Sequence, residues 1–257
     1  VAEAKAAGYI ATPPHARGKT MVERKIEYRH EDTVLEGLLC HDGKSAQPRP
    51  AILIAHAWAG RSEFENEKAR KLAELGYVGF AIDLYGKGVL GTNPEENTAL
   101  MMPFLNHRAR LQARLHTALA ALRAQPEVAG DRVAAIGYCF GGLCVLDLAR
   151  TGADVKGVAS FHGLLGKPGN TDGIGVKASV LVLHGHDDPM VPVADVVALE
   201  TELTESGADW QIHTYGNTMH SFTNPEANDP GFGVKYEAKA DRRSWTTLLD
   251  FLGEVLN

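Results

Sequence analysis

The chain has 257 residues, 44% hydrophobic and 23% charged, with a formal net charge of −6. That length can bury a sizeable core, and an acidic balance without a Lys/Arg cluster excludes general nucleic-acid affinity, which needs concentrated positive charge. No apolar run approaches the roughly 18 residues of a membrane span, and Cys40, Cys139 and Cys144, with no CxxC pair, indicate neither a disulfide framework nor a structural zinc site.

Residues 1–20, Ala-rich with a Pro-Pro step, are expected to form a tail or arm ahead of one domain over 21–257. They carry neither a basic start followed by an apolar core nor an initiating Met, which fits a processed end. Reduced thiols make a cytoplasmic location the expectation.

"MVERKIEYR" and "TVLEGLLC" alternate around "HED" and predict an antiparallel hairpin. After it, short apolar runs at Ala51–Ala55, Tyr77–Ile82, Arg132–Ile136, Val155–Ser160, Ser179–His184 and Trp210–Tyr215 read as strands. Between and after them, Glu63–Leu75, Arg108–Ala124, Leu143–Arg150, Ala194–Ser206 and Glu237–Leu256 read as helices. This alternation predicts an α/β fold, a mostly parallel sheet of about eight strands with helices on both faces. The segment Tyr85–Asn106 is longer than a usual βα connection. It is either a cap that brings Tyr85 and Met101 toward a substrate or a helix whose Met and Phe fill core gaps.

"VAAIGYCFGGLCVLDLAR", Val133 to Arg150, holds the chemistry. Gly137-Tyr138-Cys139-Phe140-Gly141 fits G-x-nucleophile-x-G at a strand-to-helix turn, with cysteine as the nucleophile. Glycines let strand and helix approach, the helix N-terminus favours thiolate, and the Phe140 amide is set to hold an oxyanion. A thiol nucleophile needs a base, and the base needs a carboxylate to fix its tautomer. "VLVLHGHDDPMVP" offers Asp187 or Asp188, and "HTYGNTMHSF" offers His220. His184 and His186 beside the Asp pair lack a third well-placed ligand, so no metal is expected. His56, His162 and His213 read as strand-end or exposed polar residues, and Cys144 as core.

"AILIAHAWAG", "LAELGYVGFAIDLYGKG", "IGYCFGG", "HGHDDPMVP" and "MHSF" follow one another in order from about Thr33 to Leu252. In these motifs the chain resembles the dienelactone hydrolase family, members of the α/β-hydrolase superfamily. The resemblance implies an α/β-hydrolase fold, a Cys139-Asp188-His220 triad, and an oxyanion hole from the amides of Phe140 and Trp58. It implies no cofactor.

Three positions depart from the family pattern. Ala57 stands where the prototype has a glutamate that helps activate the thiol, and Asn224 stands where one of two substrate-gripping arginines would be. No Arg lies between Gly88 and His107 for the other, and Lys87 could replace it only as a point charge. Without a bidentate clamp an anionic lactone is poorly held. The expected function is therefore cysteine-dependent hydrolysis of small, neutral esters or lactones through a thioester, with no nucleic-acid or membrane partner. The alternative is a catalytically weak ligand-binding or sensor protein on the same fold.

Overall fold

The structure, a computed structural model, describes residues 21–257, so the arm expected at residues 1–20 lies outside the described residues. Strands β1 (Val22–His30) and β2 (Thr33–His41) form the expected antiparallel hairpin. His30 pairs with Thr33 across a two-residue turn in which Glu31 adopts φ 52°. Left-handed backbone of that kind matches the twist of flanking strands.

The hairpin adds through β2 to β4 (Val78–Ala81), which pairs in parallel with β3 (Arg49–Ala55). Next come β5 (Val128–Tyr138), β6 (Gly157–Phe161), β7 (Ser179–Gly185) and β8 (Trp210–Tyr215), all parallel. The eight-stranded order is β1-β2-β4-β3-β5-β6-β7-β8.

Both faces of the sheet are covered, which is why its inner strands read as unbroken apolar runs. In β3, Ala51, Leu53 and Ala55 enter one core while Ile52 and Ile54 enter the other. Helices α2 (Pro94–Asn106), α3 (Arg108–Arg123), α4 (Phe140–Arg150) and α5 (Val193–Glu205) pack on the first face. Helices α1 (Glu63–Glu74) and α6 (Ala238–Leu256) pack on the second. None of the helices in the described residues is long and apolar enough to cross a membrane.

Local propensity misplaces some boundaries. Helix α4 begins at Phe140, not Leu143 as its apolar spacing suggested. Gly141 and Gly142 are poor helix formers, but the first turn passes too close for a Cβ, Gly141 to the backbone of β3 and Gly142 to Ser160 of β6 and to Gly163. A Cβ on Gly141 would lie 2.1 Å from the Ala55 carbonyl oxygen. Strand β5 starts at Val128, four residues earlier than its apolar run. A small hairpin, β9 (Asn228–Asp229) with β10 (Val234–Lys235), had no sequence signal because two-residue strands show no alternation.

The long connection after β4 serves both of its expected purposes. Helix α2 starts at Pro94 behind an Asn93 cap. Its Phe104 is buried against Tyr85 and Phe140, while Met101 lines a cavity beside Cys139.

Candidate active site

Cys139 is the single residue between the end of β5 and the start of α4, with φ 56° and ψ −117°. A residue with a Cβ is strained there, and such strain persists only when the surroundings fix it. Here the Cys139 N–H donates to the Phe161 carbonyl at 3.0 Å and lies 3.2 Å from His162 Nδ1. The turn lifts the sulfur out of the core, leaving Cys139 partly exposed while Cys144, one turn on, is buried. Phe140, the first helical residue, has one of the amides that an α-helix leaves without an internal acceptor.

His220 and Asp188 meet on loops beyond the carboxyl ends of β8 and β7. His220 Nδ1 lies 2.7 Å from Asp188 Oδ2, and the Met190 N–H donates to Asp188 Oδ1 at 2.9 Å. Asp188 is buried, whereas Asp187 is exposed and engages the Thr218 carbonyl only through its backbone. Of the two carboxylates, the structure brings Asp188 and not Asp187 to His220. The small hairpin fixes the histidine: His220 N–H donates to Gly233 O at 3.1 Å, and Lys235 N–H to His220 O at 3.0 Å.

His220 Nε2 is buried without a hydrogen-bond partner and belongs to the same cavity wall as Cys139. Burial opposes a charged imidazole, but the nearby Cys139 sulfur and the Asp188 carboxylate outweigh it and raise the His220 pKa to about 10. The site favours an imidazolium facing sulfur.

Trp58 lies on the loop after β3, and its carbonyl accepts a 2.9 Å bond from the Tyr85 hydroxyl. Burial raises the Tyr85 pKa, so the phenol stays a donor. The adjacent Ala57 N–H donates to Glu65 Oε1 at 3.2 Å, and Glu65 Oε2 accepts from Ser62 N–H at 2.9 Å and Ser62 Oγ at 2.8 Å. Glu65 is buried at the start of α1 and binds this loop to the helix.

Two cavities meet at Cys139. One of about 550 Å³ is lined by Trp58, Met101, Leu164, Met190, Phe232 and Val234, with His220 in its wall. The other, of about 150 Å³, is lined by Ala57, Ser62, Phe64, Glu65, Tyr138 and His162. Trp58, Ser221 and Asn224 belong to both, and among the described residues no Lys or Arg lines either.

Of the substrate contacts expected from the sequence, Met101, Ala57 and Asn224 line these cavities. Tyr85 and Lys87 do not. Tyr85 sits behind the Trp58 loop, and Lys87 is drawn to Glu27 and to Glu36, the latter at 3.4 Å. A lysine stem beside two carboxylates is held at the sheet edge, so Lys87 does not replace the family's arginine. Among the described residues no cluster could hold a metal ion; His184 is buried and His186 exposed.

Two residues at the site escaped the sequence reading. His162 is a strand-end residue as expected, but it is buried at φ 38° with Nε2 2.8 Å from Thr223 Oγ1. Burial, reinforced by His220, keeps its pKa well below the usual value, so its neutral ring can accept from the Cys139 amide. Nothing in the local sequence marks it. Glu65 did carry a signal, since Ser62-x-x-Glu65 is a capping box at the head of a helix.

The model of the dienelactone hydrolase family matches residues 35–256. The solved structure of a dienelactone hydrolase-like promiscuous phosphotriesterase from metagenomic libraries superposes with a TM-score of 0.88. It is 37% identical, covering 92% of this chain and 99% of its own. An uncharacterized protein of Caenorhabditis elegans is 39% identical over 58% of this chain and 97% of its own length. A protein of Synechocystis named "Putative carboxymethylenebutenolidase" is 24% identical over 76% of this chain and 82% of its own.

Proposed function

Because the chain belongs to the dienelactone hydrolase family and is thus a hydrolase of esters or lactones, we propose that Cys139, His220 and Asp188 carry the reaction through a thioester. The observation that supports it most is Cys139, strained at the strand-to-helix elbow, facing a histidine whose far nitrogen is held by a buried carboxylate at 2.7 Å.

The chemistry follows from those groups. The Cys139 thiolate attacks the carbonyl carbon, and the carbonyl oxygen takes the charge facing the amides of Phe140 and Trp58. Collapse of that adduct breaks the bond to the alcohol oxygen, which takes its proton from His220 Nε2. His220 then removes a proton from water, whose oxygen attacks the thioester and expels the thiolate. Asp188 holds the ring in the required tautomer and stabilises its charged form. In this reading the charged His220 stands in for the prototype's acid in balancing the thiolate, while Glu65 is occupied by the Ala57 amide and by Ser62.

Among the described residues neither cavity wall holds a Lys or Arg, which supports neutral substrates over the anionic dienelactone. The test is hydrolysis of p-nitrophenyl acetate and of the anionic dienelactone by the purified chain and its Cys139→Ala variant. Turnover of the neutral ester lost in the variant is expected. Unchanged turnover in Cys139→Ala would remove the nucleophile assignment, and a large preference for the dienelactone would remove the neutral one. A thiol that reacts with an alkylating reagent but supports no turnover would favour a ligand-binding or sensor protein.

A further inference from the structure

We propose that the two cavities at Cys139 are separate sites for the two halves of an ester: the small one holds a short acyl chain, and the large apolar one holds a bulky alcohol. The inference rests on the thioester reading above and adds direction to it.

The direction comes from His220. The leaving alcohol oxygen must come within hydrogen-bond reach, about 2.6–3.2 Å, of the group that protonates it. His220 lines the cavity of about 550 Å³ and does not line the one of about 150 Å³. The alcohol half therefore extends into the larger space. The carbonyl oxygen is turned toward the Phe140 and Trp58 amides and the sulfur occupies a third direction. The acyl chain takes the remaining direction from the tetrahedral carbon, and the small cavity is the other space that Cys139 lines.

The two walls suit those halves. Met101, Leu164, Met190, Phe232 and Val234 give the larger cavity an apolar surface, and Trp58 stacks on Phe232 with ring centroids 6.2 Å apart and planes at 21°. A cavity of that size accepts a ligand of many heavy atoms. The smaller space, about 150 Å³ against about 550 Å³, has room only for the shorter half of such an ester. It is closed by Phe64 and Tyr138, whose rings meet edge to face at 5.0 Å, and by the Glu65 carboxylate. Ala57 puts no more than a methyl group into this space.

During turnover the alcohol leaves from the large cavity with the proton of His220. The acyl group stays on sulfur in the small cavity until water releases it as the carboxylic acid.

The test uses neutral alkyl esters of matched reactivity, followed by acid release: acetates of ethanol, butanol and octanol, against ethyl esters of acetic, butanoic and octanoic acid. We expect kcat/KM to rise along the alcohol series and to fall along the acyl series, so that octyl acetate exceeds its isomer-sized counterpart ethyl octanoate by at least about tenfold. Phe64→Ala, which opens the small cavity, should raise the ratio of ethyl octanoate to octyl acetate several-fold; this ratio is independent of how much enzyme is folded. Equal or reversed preference in the wild-type chain overturns the assignment while leaving the nucleophile intact. Hydrolysis of both series that persists in Cys139→Ala, or hydrolysis of neither, overturns the thioester reading itself.

Discussion

The His220 ring is tied to a carboxylate through one nitrogen: its Nδ1 lies 2.7 Å from Asp188 Oδ2, both residues are buried, and among the described residues no nitrogen or oxygen partners its Nε2. A buried polar atom without a partner costs free energy, so a fold that tolerates one usually has a use for it. Here the open nitrogen shares a cavity wall with Cys139, where a leaving oxygen or an attacking water would supply the missing bond.

Replacing Asp188 with Asn should preserve shape and remove charge. The amide can donate to Nδ1, which favours the wrong tautomer, and it no longer supports the imidazolium. Ester hydrolysis is expected to fall in kcat by about 10³–10⁴. Stopped-time assays on p-nitrophenyl acetate would measure it. A loss below about tenfold would show that Asp188 only packs the loop.

The raised pKa of His220 predicts a pH-dependent stability. Its folded value of about 10 lies above the ordinary 6.5, so folding favours the protonated ring. That contribution is complete below pH ~6.5 and is lost as pH rises through about 10. Thermal midpoints at pH 6, 8 and 10 should therefore fall more in the wild-type chain than in His220→Ala. Parallel curves for the two proteins would contradict the linkage.

The elements around this pair were legible in the sequence to different degrees. The alternating strands and helices were legible because buried parallel strands are apolar runs, and G-x-C-x-G, weak alone, stood out because a strand precedes it and a helix follows. Helix α4 lost its first three residues to view because glycines at a crossing look like turn residues. His162 and Lys87 show the deeper limit. Whether a histidine caps a strand or holds the elbow, and whether a lysine reaches a site or the neighbouring Glu27 and Glu36, depends on contacts distant in sequence.

Tyr85 gives a test of the proposed oxyanion loop that leaves every proposed reacting group in place. Its hydroxyl donates to the Trp58 carbonyl at 2.9 Å, while its ring stacks on Phe104 and Phe140. Tyr85→Phe keeps the stacking and deletes the bond, at a stability cost of about 1 kcal/mol. If the Trp58 amide is the oxyanion donor proposed above, kcat should drop by roughly threefold to tenfold, less than for direct loss of such a donor. KM should stay near its original value. A change confined to KM would mean that the bond shapes the cavity and does not tune the amide.

Two glycine-to-alanine changes, one at the elbow and one far from it, separate close approach from general helix effects. A Cβ on Gly137 would stand 1.9 Å from the Gly141 carbonyl oxygen, a backbone atom that cannot swing aside. Strand β5 and helix α4 must then part, at a cost of about 1–3 kcal/mol, which for a chain of this size lowers the melting temperature by roughly 2–12 °C. Cys139 is two residues away and would move with the turn, and a displacement near 1 Å is enough to cost about 10²-fold in rate. Gly253, by contrast, lies inside α6, where an added Cβ meets only Asn257 at 3.9 Å. Alanine there should raise stability by about 0.4–1 kcal/mol and leave hydrolysis unchanged. Thermal melts and ester assays on the two variants side by side would decide the point, because an elbow that tolerated Gly137→Ala as well as α6 tolerates Gly253→Ala would not be holding Cys139 by close packing.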